Sequence, residues 1–319
     1  MSQISTAQAV PIDPIKFLDP DTTAKGEQRA VVALTQLRTL WFNTGSLCNI
    51  TCRNCYMDSN PKNDRLAYIT ANEARAYLDE VECEGMAVEE IAFTGGEPFM
   101  NPHILDMIGD ALGRGYKVLV LSNAMKPLLN KRAGLLELHQ QYGDALTIRV
   151  SIDHYTRKGH EDVRGVNTWP PMIECLNWLS ENRFNLTVAG RTMWGEEEAL
   201  ARQGYARLFA QHHLTIDTTN PAQLVLFPEM DETEDVPEIT MQCWDILGVR
   251  PESIMCSTSR MVVKRKGAGA PVVVPCTLLP YDPQFELGTR LADSPNTVKL
   301  NHPHCARFCV LGGASCSAD

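Results

Sequence analysis

The chain has no long hydrophobic run. No stretch of its 319 residues reaches the roughly 18 uncharged apolar residues that a membrane-spanning helix needs. Its first residues mix Asp, Lys, Glu and Arg and contain no apolar core of a secretory signal. Positive charge is also scarce: the net charge is -10, which argues against binding a nucleic-acid backbone through general electrostatics. A cytoplasmic protein with neither membrane nor nucleic acid as partner is expected. With no sign of secretion, a framework of disulfides is not expected either.

What the chain does have is cysteine, 11 residues in all, within an ordinary hydrophobic fraction of 44%. Metal ligation accounts for most of them. Cys48, Cys52 and Cys55 form a CxxxCxxC triplet, and Cys256, Cys276, Cys305, Cys309 and Cys316 gather toward the C-terminus. Cys83, Cys175 and Cys243 stand alone in helix-like segments and are expected to be buried small hydrophobes. Three thiolates at the triplet's spacing suit three irons of a [4Fe–4S] cluster, leaving the fourth iron without a protein ligand. The rival is a structural zinc, which wants a fourth ligand; Asp58 and the distant Cys83 are the candidates.

A second motif, Thr94-Gly95-Gly96-Glu97-Pro98, follows the apolar run Ile91-Ala92-Phe93. Two glycines there suit a turn where backbone approaches a ligand closely. Together the two motifs resemble the radical S-adenosylmethionine (SAM) enzymes. The resemblance implies that the open iron chelates the amino and carboxylate groups of SAM. It implies that one electron from the cluster breaks the sulfonium bond, and that a 5′-deoxyadenosyl radical then takes a hydrogen atom from a substrate. The Gly95–Pro98 loop would lie along the methionine end of SAM, with Glu97 facing its ammonium. Ser122, Asn123, Ser151 and Asp153 would reach its carboxylate and ribose from strand ends, Arg191 would pair with its carboxylate, and Tyr56 would flank the cofactor. Asn54 takes the place where the family often has an aromatic residue.

Strand-like runs at 40–42, 90–93, 117–121, 146–150, 186–188 and 224–227 alternate with helix-like patterns near 71–84, 102–114, 127–141, 170–182 and 196–213. Thr70-Ala71-Asn72-Glu73 has the form of a capping box, with Thr70 as N-cap and Asn72 as its rival. Six such units predict an α/β fold with a parallel sheet, a partial (β/α)6 barrel in which chemistry collects at the carboxyl ends of the strands. Three segments are expected: a loosely attached leader over 1–36, the barrel over 37–249 and a cysteine-rich extension over 250–319. The leader is expected to be too short to hold a full leader-peptide-binding domain, but such a domain can be a separate protein, so a peptide substrate stays open.

In the extension, Arg260–Lys266 and Pro271–Val274 flank Gly267-Ala268-Gly269-Ala270 and read as a β-hairpin, with Lys264-Arg265-Lys266 at its solvated end. A hairpin bracketed by Cys256 and Cys276, followed by Cys305, Cys309 and Cys316, is similar to the SPASM or twitch extensions of some radical SAM enzymes. That resemblance implies one auxiliary [4Fe–4S] cluster, four of the five cysteines being its ligands. Zinc and a disulfide are the rival uses of these cysteines. His304 is expected to be a solvated loop residue. The resulting expectation is a radical SAM oxidoreductase or transferase, reduced by a flavodoxin or ferredoxin and acting on a peptide or a small metabolite. The alternative is a non-catalytic iron–sulfur carrier on the same fold.

Overall fold

The structure, a computed structural model, describes residues 10–313 apart from 193, 229, 230 and 232. A short strand β1 (Val31–Ala33) comes first. The six apolar runs then form β2 (Thr39–Asn43), β3 (Glu90–Thr94), β4 (Lys117–Ser122), β5 (Leu146–Ser151), β6 (Asn185–Arg191) and β7 (Leu224–Phe227). They pair in parallel, in the order β7-β6-β5-β4-β3-β2. All five residues of β2 are buried, as expected of a parallel strand covered on both faces.

Helices α1 (Ala71–Cys83), α2 (Ile104–Gly113), α3 (Lys126–Asn130), α4 (Arg132–Tyr142), α5 (Arg157–Arg164), α6 (Trp169–Glu181), α7 (Glu198–Gln211) and α8 (Cys243–Leu247) complete the main elements. The capping box forms as the sequence predicts: the Glu73 amide donates to Thr70 Oγ1 at 3.3 Å, and the Thr70 amide donates to Glu73 Oε2 at 2.9 Å. The single helix expected over 127–141 is two, with a break at Lys131. Helix α5 was not anticipated. Its sequence, RKGHEDVR, buries only Gly159, His160 and Val163, so it carries no apolar stripe to read.

Two C-terminal strands extend the same sheet. β8 (Ser259–Val263) lies parallel to β2, Leu40 opposite Arg260 and Phe42 opposite Val262, and β9 (Val272–Val274) turns back antiparallel to β8. The hairpin therefore forms, but as part of the core sheet, with β2 as its neighbour. The basic run at its turn is not free. Lys264 pairs with Glu73 at 2.6 Å, Arg265 with Glu286, and Lys266 with Asp64.

The leader is also built in. β1 pairs antiparallel with β10 (Thr297–Lys299). Arg29, 1% exposed, forms a buried ion pair with Glu238 at 2.7 Å. From Arg29 onward, the expectation of a loose leader is thus corrected: buried charge and apolar side chains fix the segment. Phe42, Phe93 and Tyr77 pack on one face of the sheet, beneath the helices. Trp41, Ala92 and Leu119 pack on the other, together with Met261 and four of the C-terminal cysteines. Among the described residues no helix is long and apolar enough to cross a membrane.

Candidate active site

The loop that leaves β2 is pinned at several points. The Gly45 amide donates to Asn43 Oδ1 at 2.9 Å, and the Thr44 amide to the Thr94 carbonyl at 2.8 Å. Asn101 Nδ2 donates to the carbonyls of Thr44 and Ile69, both at 2.9 Å. The middle of the loop is tied to α5 by the Arg53 amide, which donates to Val163 O at 2.7 Å. This loop carries Cys48, buried, and Cys52 and Cys55, half-buried. All three line one cavity at the carboxyl ends of the strands, beside Tyr56, Gly95, Gly96, Ser122, Asn123, Ser151, Arg164 and Arg191. Burial pushes the Cys48 thiol up to about 12 and raises that of Cys52 as well.

The two glycines serve the loop. Gly95 has φ +143°, and a Cβ there would lie 2.6 Å from the Gly45 carbonyl oxygen; a Cβ on Gly96 would lie 2.1 Å from that of Leu47. The neighbours are backbone, so nothing can swing aside. The amides of Gly96 and Glu97 donate to Gly45 O and Leu47 O at 2.8 and 3.1 Å. The glycines thus let the cysteine loop lie flat on the end of β3.

Glu97 points elsewhere than expected. Its carboxylate is 1% exposed. Oε1 accepts from the Ser122 hydroxyl at 2.9 Å and the Phe99 amide at 3.2 Å, and Oε2 accepts from the Asn123 amide at 2.8 Å. Pro98 opens a buried 3-10 turn. Neither residue lines the cavity. Glu97 staples the ends of β3 and β4 together, and burial pushes its carboxyl up to about 7 despite those hydrogen bonds.

Asn123 does face the triplet. Its Nδ2 donates to Asn49 Oδ1 at 2.8 Å and approaches Cys48 Sγ at 3.7 Å. Its Oδ1 is buried with no hydrogen-bond partner among the described residues, an acceptor held open beside the cysteines. Asp153, expected to meet a ribose, is instead held by arginines. Arg164 Nε lies 2.7 Å from its Oδ2, and Arg191 Nε lies 3.5 Å from its Oδ1. Burial works against the Asp153 charge, but Arg164 and then Arg191 outweigh it and hold the carboxyl below its ordinary value. Arg164 escaped the sequence reading because α5 has no apolar pattern; the Thr156 cap, whose hydroxyl accepts from the Gly159 amide at 3.2 Å, was the one available signal. Asn54 has φ +51°, a conformation Asn tolerates better than an aromatic residue, and its carbonyl accepts from Arg191 at 3.3 and 3.4 Å.

Cys256, Cys276, Cys305 and Cys309 are all buried and share one apolar cluster; Cys316 lies outside the described residues. Burial raises the Cys305 thiol, and Cys276 and Cys256 raise it further by their charge, so these three are near neighbours. Cys305 and Cys309 sit on a π-helical turn, Cys305–Leu311. Among the described residues no three Cys, His, Asp or Glu side chains converge on a point fit for a single metal ion. A second cavity, of about 460 Å³, reaches from Asn54, Cys55 and Tyr56 to Leu278–Pro283, His302 and His304. His304 is therefore not solvated: it is 3% exposed, and burial pushes it down to about 3. Of the isolated cysteines, Cys175 is buried, Cys243 half-buried and Cys83 exposed; Cys83 ends α1 on its solvent side and does not join the core.

Residues 42–200 match the model of the radical SAM superfamily. Over 152 residues the chain is 26% identical to the subtilosin biosynthesis protein AlbA of Bacillus subtilis (strain 168), a match covering 46% of this chain and 32% of AlbA. Over 111 residues it is 25% identical to an S-adenosylmethionine-dependent nucleotide dehydratase of Selenomonas ruminantium, covering 35% of this chain and 37% of that protein. The chain thus matches about a third of the length of these curated relatives. Its fold is that of Streptococcus suis SuiB in the structure bound to precursor peptide SuiA, with TM-score 0.57 at 12% identity over 83% of this chain and 64% of SuiB.

Proposed function

From a chain that has the core of an enzyme, a radical SAM domain whose family uses a [4Fe–4S] cluster and SAM, we propose a radical SAM oxidoreductase or transferase with one auxiliary cluster in its C-terminal segment. The observation that carries the proposal is the cavity where Cys48, Cys52 and Cys55 meet the open Asn123 acceptor and two arginines. When bound, the cluster and SAM together supply a 5′-deoxyadenosyl radical that takes hydrogen from a substrate. The chain's own residues hold and orient. Cys48, Cys52 and Cys55 offer three thiolates. Asn123 Oδ1 offers an acceptor to an ammonium. Arg164 and Arg191, sharing the single charge of Asp153, present an excess of positive charge to a carboxylate. Gly95, Gly96, Tyr56 and Ser151 shape the walls. A non-catalytic carrier has no use for an open acceptor and paired arginines beside its cluster.

In this reading four of the five cysteines Cys256, Cys276, Cys305, Cys309 and Cys316 supply the auxiliary [4Fe–4S] ligands, and a flavodoxin or ferredoxin supplies electrons. The second cavity, between the cysteine loop and the C-terminal segment, receives the substrate. A peptide is favoured because one relative takes part in bacteriocin biosynthesis and the structural neighbour binds a precursor peptide. The nucleotide dehydratase keeps a small metabolite as the second reading.

Anaerobic reconstitution tests the proposal. Wild type should hold about eight irons and the Cys48, Cys52, Cys55→Ala variant about four. On reduction only the wild type should convert SAM to 5′-deoxyadenosine and methionine. Methylthioadenosine as product, or equal iron in both proteins, would sink it.

A further inference from the structure

Arg260 is sealed inside the protein at 1% exposure, yet among the described residues it pairs with no carboxylate. Its Nη1 donates to the carbonyls of Cys256 and Ser259, both at 2.8 Å, and its Nη2 to Pro295 O at 3.4 Å. Its Nε is buried with no hydrogen-bond partner among the described residues. The other buried arginines described above differ: Arg29 has Glu238, and Arg164 has Asp153. A guanidinium does not give up its proton in a protein, and burying its charge without a partner is strongly unfavourable. The groups whose charge bears on Arg260 are the thiols of Cys256 and Cys276. As thiols they are neutral; as metal-bound thiolates they are anions.

We propose that Arg260 is the built-in counter-ion of the C-terminal cysteine site, placed to neutralise metal-bound thiolates at Cys256 and Cys276. The proposal rests on the reading that this site holds an iron–sulfur cluster, and it makes these two cysteines ligands. A cluster held by four thiolates carries net negative charge, and more once reduced. A fixed positive charge at Cys256 therefore favours loading and the reduced state, and raises the reduction potential. The guanidinium also draws the turn carrying Cys256 onto the start of β8 through its bond to the Cys256 carbonyl. It acts through the cluster and touches no substrate, so it is a positioning residue.

The experiment uses the full chain with Cys48, Cys52 and Cys55 replaced by Ala, so that only the C-terminal cluster is observed. R260K and R260M are compared with Arg260 for iron content and for midpoint potential in an anaerobic titration followed by electron paramagnetic resonance. R260K should load fully and titrate close to Arg260. R260M should load and titrate at a more negative potential, or fail to load where R260K succeeds. Either result supports the counter-ion role, since charge alone separates the two variants. Full loading of R260M with an unchanged potential overturns it, as does equal failure of both variants, which would assign the site to shape instead of charge. If the chain with Arg260 intact binds no iron, or holds zinc, the auxiliary-cluster reading itself falls, and that result is read before any Arg260 variant is made.

Discussion

Replacing Glu97 by Gln should change how stability responds to pH. The Glu97 carboxyl is buried against Ser122, Phe99 and Asn123, and burial raises it from 4.5 to about 7. A carboxyl raised on folding binds its proton more tightly in the folded state. Its contribution is therefore complete below pH 4.5 and is lost as pH rises through about 7. At about 1.4 kcal/mol for each pH unit between those values the whole effect is about 3 kcal/mol, of which about 2 falls between pH 5.5 and 8. E97Q does not titrate. Its amide oxygen can replace one carboxylate oxygen, but its NH2 then meets a donor, the Asn123 amide in the better orientation, at a constant cost of about 1–3 kcal/mol. The advantage of wild type over E97Q should thus be about 2 kcal/mol greater at pH 5.5 than at pH 8. Urea unfolding of both proteins under anaerobic conditions measures this. Parallel pH profiles for the two would refute a buried, titrating Glu97.

Two further predictions follow from the packing. G96A puts a methyl 2.1 Å from Leu47 O, where overpacking costs on the order of 1–3 kcal/mol or more; its iron content should fall to that of the triple cysteine variant. G269A, where a Cβ meets nothing within 4 Å, should keep full iron, and equal iron in the two variants would refute the close-contact argument. E238Q removes the charge that offsets Arg29, whose side chain is 1% exposed, so it should cost about 3–5 kcal/mol and make residues 10–33 cleavable in limited proteolysis. A wild-type digestion pattern would show that the pair does not hold the segment.

The sequence carried the parallel strands because each is a short apolar run bounded by turn residues, and it carried α1 because Thr70 and Glu73 cap it in a recognisable spacing. The cysteine triplet and the Gly95–Gly96 turn were legible as a pair because the structure sets one on the other. What escaped depended on long-range geometry. Arg164 sits on a polar helix, so no periodicity pointed to it. Glu97 reads as a ligand for an ammonium because its motif suggests so, while two of its three donors, the Ser122 hydroxyl and the Asn123 amide, come from the end of β4, a convergence no local pattern states. His304 looks solvated because polar residues usually are, and its burial depends on packing no local pattern states; the basic run from Lys264 does end exposed, at Lys266, but its ion pairs come from partners far away in the chain, Glu73 and Asp64 for the lysines.

The placement of β8 beside β2 has a consequence for the order in which the molecule is made. The strand that launches the first cysteine loop has one neighbour at Glu90–Thr94 and the other at Ser259–Val263, and β1 waits for β10. During synthesis the β8-facing edge of β2 stays unpaired until residues 259–263 have left the ribosome. Contacts this distant in sequence form late and slowly. A shortened chain ending before Ser259 therefore exposes an apolar strand edge, which invites aggregation. The C-terminal segment thus belongs to the scaffold on which the first cysteine site stands.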